Sequence, residues 1–385
     1  MKRRIEVRAK RKGGRRWNVF LIFGILYIPV SVCVAGETSW PQFRGDAQST
    51  GVARGSLSDS LVVLWAARVP EGIESTAAIR EGRVFVGGLD GNLYAFDLGS
   101  GALKWKYSAG GEIKASPLVA DDTVFFGDGD GGFHAVDAAS GKGLWTHRTA
   151  GEIISSAASY EGRVIFGSYD QFLYCLAKAD GKLLWKVETE GYVHGSPALW
   201  QGRVLIAGCD GLLRMVNPAG GDEISRMELS DYVAASVAVR SSRAYAGTFG
   251  NRVLGLDLVA EKVLWRYEHP DRGFPFYASP AVTGNHVVVA GRDRMVRALR
   301  PDDGEVIWVR LFRSRLDSSP VIAGNRVYVG TTGGRIMGLD LASGEPRWEF
   351  QSGSGVLASP SVAGGRLVIG TTDGILYCFG SEDRQ

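Results

Sequence analysis

The sequence predicts an all-β protein, an eight-bladed β-propeller built from four-stranded antiparallel blades. Three periodic patterns carry that prediction. Tryptophans fall at Trp65, Trp105, Trp145, Trp185, Trp265, Trp308 and Trp348, in steps of 40, 40, 40, 80, 43 and 40 residues. A small residue followed by Ser or Thr, often then Pro, marks eight places: Ser75-Thr76, Ala115-Ser116, Ser155-Ser156, Gly195-Ser196, Ala235-Ser236, Ala278-Ser279, Ser318-Ser319 and Ala358-Ser359. A third pattern, of the type Tyr94-Ala-Phe-Asp97, also returns eight times and ends at Tyr377-Cys-Phe-Gly380. A period near 40 residues belongs to propeller blades or to helical solenoids. A solenoid needs runs of ten or more residues at 3.6 periodicity, and the repeats contain none.

In chain order, the first element is a basic leader. Met1–Arg16 holds nine Lys and Arg against Glu6 alone, and Trp17–Gly36 carries no charge. With the small-residue exit Val34-Ala35-Gly36, residues 1–36 read as a secretory signal. Two alternatives occupy the same residues. Twenty uncharged residues can just span a bilayer as an uncleaved anchor. Val30-Ser-Val-Cys33 resembles a lipidation box with Cys33 as acceptor, although Val32 stands where a small residue is wanted. All three routes place the rest of the chain outside the cytoplasm, periplasmic or otherwise extracytoplasmic, with the membrane met only through the N-terminal segment. Residues 37–60 follow as a lead-in carrying Trp40-Pro-Gln-Phe-Arg-Gly45.

Residues 61–380 hold the repeats. In the type unit, Ala115–Ala150, four short runs are expected as strands: Ser116–Val119, Thr123–Phe126, Gly132–Val136 and Gly143–Arg148. Asp, Gly, Ser and Lys between them supply turns. The Trp strand is degenerate once, at Glu223–Leu229, where Trp is lost. The eighth repeat stops after its third strand, whereas the first Trp strand, Leu61–Val69, precedes the first Ser/Thr marker. Leu61–Val69 is therefore expected to complete the last blade, closing the ring and removing a free sheet edge. Residues 381–385 form a polar tail.

From about Trp40 to Gly380 the chain resembles the quinoprotein-type propeller repeat. The carriers are Ala115-Ser-Pro117, Asp90-Gly-Asn-Leu-Tyr-Ala-Phe-Asp97, Ser140-Gly-Lys-Gly-Leu-Trp145 and the lead-in motif. The resemblance implies the propeller fold and one of two occupations. Some members bind pyrroloquinoline quinone (PQQ) and oxidise alcohols. Others are binding scaffolds, such as the lipoprotein of the outer-membrane β-barrel assembly machinery, which this chain resembles in length and blade count. The oxidising members carry an adjacent-cysteine pair, a Trp floor and calcium held by Glu, Asn and Asp. This chain has no Cys-Cys, and no residue of that site transfers. The resemblance thus implies a non-catalytic, cofactor-free scaffold for an envelope protein, an outer-membrane assembly component among the candidates. A PQQ-binding oxidoreductase and a glycan- or small-ligand-binding propeller are the alternatives.

Charge excludes one class. The whole chain is net +3. The leader contributes +8, so the remainder is net −5, and no nucleic-acid footprint survives in the mature domain. A monomer is expected. Cys175, Cys209 and Cys378 read as small buried hydrophobes. The five His residues lack metal spacing, and Asp128-Gly-Asp-Gly131 is explained by turn chemistry.

In a repeat protein, function is sought where the repeat fails. The residue two before each Ser/Thr marker varies: Glu74, Lys114, Ile154, His194, Ala234, Tyr277, Asp317 and Leu357. These should ring the mouth of the central channel, and Glu74, Lys114, His194, Tyr277 and Asp317 are the candidate ligand-binding residues there. The larger failure lies in blade 6. Its leading loop, His269–Tyr277, is three residues longer than the others. Its usual Asp-Gly turn is replaced by Arg292-Asp-Arg294, and the next leading loop carries Arg313 and Arg315. Arg272, Phe274, Phe276, Tyr277, Arg292, Arg294, Arg313 and Arg315 are expected to form one exposed partner-binding face, since aromatics and Arg dominate interface hot spots.

Overall fold

The computed structural model describes Ser39–Glu382; the leader with Cys33 and the end of the tail fall outside those residues. Among the described residues the strands form eight four-stranded sheets, each joining its strands in sequence order except at the point of closure. The second blade sets the pattern: Leu118–Ala120, Thr123–Gly127, Gly132–Asp137 and Gly143–Arg148. Its inner strand starts later than expected because Ser116 bonds to the neighbouring blades instead of a sheet partner, its N–H donating to Ser156 and its hydroxyl accepting from Thr76. Closure occurs as expected. Val62–Arg68 pairs antiparallel with Ile375–Gly380, setting Trp65 opposite Cys378.

Two rings tie blade to blade. In the inner ring, each marker N–H donates to the marker hydroxyl of the next blade, at 2.8 to 3.2 Å. The series runs from Thr76 to Ser116 and onward to Ser359, whose N–H returns to Thr76. Buried amides that would otherwise lack acceptors are thereby satisfied. In the outer ring, each of seven Trp indole N–H groups donates to a carbonyl of the next blade at 2.8 to 3.1 Å, six to the third-to-fourth-strand turn and Trp348 to Leu61, just before the closing strand. The ring packs on a glycine of that turn. A Cβ on Gly101 (φ +72) would lie 2.6 Å from Trp65, and one on Gly141 (φ +75) equally close to Trp105. Only glycine permits both that φ and that approach. Apolar side chains between neighbouring sheets form the core, as where Phe125 and Phe133 of blade 2 meet Val164 and Phe166 of blade 3.

The lead-in closes one end of the channel. Carbonyls of Trp40, Pro41, Ala47, Gln48, Thr50 and Gly51 accept the inner-strand amides of Ile79, Val119, Leu199, Val239, Val282 and Ile322, touching six of the eight blades. Arg44 is buried and donates to the carbonyls of Pro280 and Pro320, at 3.0 and 2.6 Å. Burial pulls its pKa down to about 9.

Candidate functional site

The other end of the channel carries the loops leading into each blade and the second-to-third-strand turns. Hydrogen bonds hold the two sets together, for example Ile113 N–H to Gly88 and Leu89 N–H to Gly72. The turns between first and second and between third and fourth strands occupy the opposite, lower face, where Leu98 N–H donates to Gly82. All sequence-selected sites thus fall on the upper face.

At the mouth, three of the five candidates join one chain of contacts. His194 Nδ1 lies 2.5 Å from the Tyr169 hydroxyl. Its ring meets Tyr277 edge-on with centroids 5.6 Å apart. The Arg292 guanidinium covers the other side of Tyr277, 4.2 Å from the ring centroid. It also grips Asp317 through two bonds, at 2.7 and 3.3 Å. Burial lowers the His194 pKa to about 4, so the imidazole is neutral at physiological pH. Burial raises the Tyr277 hydroxyl, with Arg292 opposing. Glu74 and Lys114 stand apart from this chain. Lys114 pairs with Glu112 at 2.6 Å, and that bond, reinforced by Glu74 and Glu152, raises its pKa.

Around the mouth, four large aromatics stay open to solvent on blades 4 to 6: Tyr192, Tyr232, Phe249 and Phe274, at 51%, 62%, 38% and 49% exposure. Arg294, Arg313 and Arg315 are exposed beside them on blades 6 and 7. Arg294 and Arg313 pair with no carboxylate among the described residues, whereas Arg315 stands 3.7 Å from Asp317. Arg272 is tied down, donating to the Asp293 carbonyl at 3.1 Å. A cleft of about 230 Å³ opens between Arg313, Ser314 and Phe312 on one side and Gly333, Arg335 and Gln351 on the other.

One expectation is corrected. Phe276 does not project; it is 1% exposed within the core. It occupies the repeat position held elsewhere by Ile73, Ile113, Ile153, Val193, Val233, Leu316 and Val356, all buried. Its ring also covers the buried Arg297, 5.2 Å away, which pairs with Asp293. The extra residues of the loop are absorbed before it, leaving Phe274 as the exposed aromatic. Sequence reasoning missed Tyr169, Tyr192, Tyr232 and Phe249. The available signal was the second residue of the second-to-third-strand turn, aromatic at Tyr169 and Phe249 where other blades have Leu89, Gly129, Cys209, Arg292, Thr332 and Thr372.

A family profile described as outer membrane protein assembly factor BamB matches residues 59–159, 150–214, 209–351 and 296–385. No curated protein sequence matches. Among solved structures, BamB from Moraxella catarrhalis superposes with a TM-score of 0.72 at 20% identity, covering 85% of this chain and 99% of that one. The computationally designed Ika8 protein gives 0.74 at 17%, over 83% of this chain and 99% of its own. Quinohemoprotein alcohol dehydrogenase from Comamonas testosteroni gives 0.75 at 15%, over 90% and 82%. At these identities the structures share the fold alone, and both a BamB and an alcohol dehydrogenase carry it.

Proposed function

We propose, from the premise that this chain belongs to the family described as outer membrane protein assembly factor BamB, that it is a non-catalytic binding scaffold of the cell envelope, exported by its N-terminal segment. Its upper face on blades 4 to 7 docks an acidic protein partner. The observation that carries this is the upper-face set of exposed Tyr192, Tyr232, Phe249 and Phe274 with the exposed Arg294 and Arg313, which pair with no carboxylate among the described residues. Exposed aromatics supply area to bury, and guanidinium groups bind carboxylates bidentately. The mature domain is net −5, so this local positive charge departs from its own background. The mouth favours binding over quinone chemistry, because His194, Tyr277, Arg292 and Asp317 hold one another there rather than standing free to line a cofactor site.

The test uses a partner captured from envelope extract, identified, purified and titrated against the mature domain. Phe274→Ala with Tyr232→Ala should weaken binding about tenfold or more, about 1.4 kcal/mol, with unfolding unchanged. Arg313→Glu with Arg315→Glu should slow association, most at low salt. Unchanged affinity in both variants refutes the face. Stoichiometric binding of pyrroloquinoline quinone with calcium in calorimetry would replace the scaffold by the oxidoreductase.

A further inference from the structure

We infer that the seam between blades 4 and 5 is a docking site for an aromatic side chain, tryptophan foremost, presented by another polypeptide. Seven of the eight seams are closed at the rim by the chain's own indoles. In each the indole N–H donates to a carbonyl of the next blade, six times to a turn carbonyl and once, from Trp348, to Leu61 before the closing strand. In six of these seams the ring also lies against a positive-φ glycine three residues further on, where a Cβ would come within 2.5 to 2.8 Å of it: Gly101, Gly141, Gly181, Gly221, Gly304 and Gly344.

The eighth seam has lost both halves together. By strand register the Trp position falls on Ser225, which faces Met215 as Trp185 faces Cys175. The glycine position falls on Glu261, which takes φ +51 and stands exposed. A Cβ is tolerated at that φ because no ring presses on the turn. The acceptor position falls on Leu258.

The seam does not open for want of the indole. Trp200, on the inner strand of blade 4, donates to the Ser241 carbonyl of blade 5 at 2.6 Å. Beneath it Leu205, Met215 and Met227 pack with Val239, Leu254 and Leu256. The tie has therefore moved inward while the rim seat is left without its ring. An apolar residue of the turn faces solvent at the seat, Val259 at 70% exposure; Ile224, just before Ser225, is 46% exposed, as Leu144 and Leu184 are at the same position beside filled seats. The seven occupied seats specify what fits, a flat ring with an N–H donor. The exposed Glu261 carboxylate selects a basic residue beside it. Because this seat belongs to the lower-face turns, Leu258 N–H donating to Ser242, it is independent of the upper-face set, and either can fail without the other.

The probe is the peptide acetyl-Lys-Trp-Lys-amide, titrated into the isotope-labelled mature domain and followed by backbone NMR. Saturable shifts confined to Ile224, Ser225, Val259 and Glu261 are expected, with acetyl-Lys-Ala-Lys-amide at least tenfold weaker. Ser225→Trp with Glu261→Gly fills the seat in cis; this variant should melt higher than the wild type and lose peptide binding at least tenfold. Val259→Asp, at an exposed turn position, gives a second variant that keeps the fold and should also weaken the peptide several-fold. Scattered or non-saturable shifts, equal binding of the alanine peptide, or undiminished binding by both variants would overturn the inference.

Discussion

Packed against Tyr169 and Tyr277, the His194 imidazole has its pKa drawn from 6.5 down to about 4 by desolvation. The unfolded chain takes up a proton below pH 6.5 and the folded chain only near pH 4. The stability tied to the neutral ring is therefore full above pH 6.5 and lost as pH falls through that interval. His194→Gln removes the titration, so its unfolding free energy should fall less between pH 7 and pH 4.5 than that of the wild type in denaturant titrations. Parallel losses would show that the ring titrates as in water. Position 194 was legible in the sequence as a variable place in a regular ring; its neutrality was not, since that comes from burial among residues of other blades. Phe276 shows the converse. Its place was readable, because every blade has an apolar residue three before the marker hydroxyl. The composition of its loop suggested exposure, and burial over Arg297 decided otherwise.

Among the elements, the marker hydroxyls do more than count blades. Each accepts an amide from the neighbouring inner strand, so removing one leaves a buried donor unmade. Ser236→Ala strands the Ser196 N–H and should cost about 1–3 kcal/mol. Ser236→Thr, the residue that Thr76 supplies in blade 1, should cost much less. Chemical denaturation of the pair decides it, and equal stabilities would mean that the ring is ornamental to the fold. Strand number, order and the closing strand were all legible, because turn chemistry and period-2 runs are local. The hydroxyl ring was not, because its bonds join residues 40 or more apart in sequence. The lead-in's course was equally hidden: nothing local in Trp40–Gly51 says that its carbonyls meet six blades.

For the whole molecule, the test of closure is deletion of residues 1–69. It removes Val62–Arg68 from the last sheet and exposes the edge of Ile375–Gly380, and such an edge invites pairing with other chains. The truncated protein should aggregate or melt far below the full mature domain in scattering-monitored thermal unfolding. An equally stable monomer would refute the eight-blade ring. The lead-in adds a constraint of timing. Arg44 finds its acceptors 236 and 276 residues downstream, and Leu61 accepts the Trp348 indole 287 residues away. Contacts of such separation are late and slow to form. Arg44 and Leu61 precede every Ser/Thr marker in the chain, yet they are housed only when blades 6 and 7 have formed. Until blade 7 has arrived, the Arg44 guanidinium lacks its Pro320 acceptor and the Leu61 carbonyl lacks its indole donor, and both are left to solvent while the ring is unfinished.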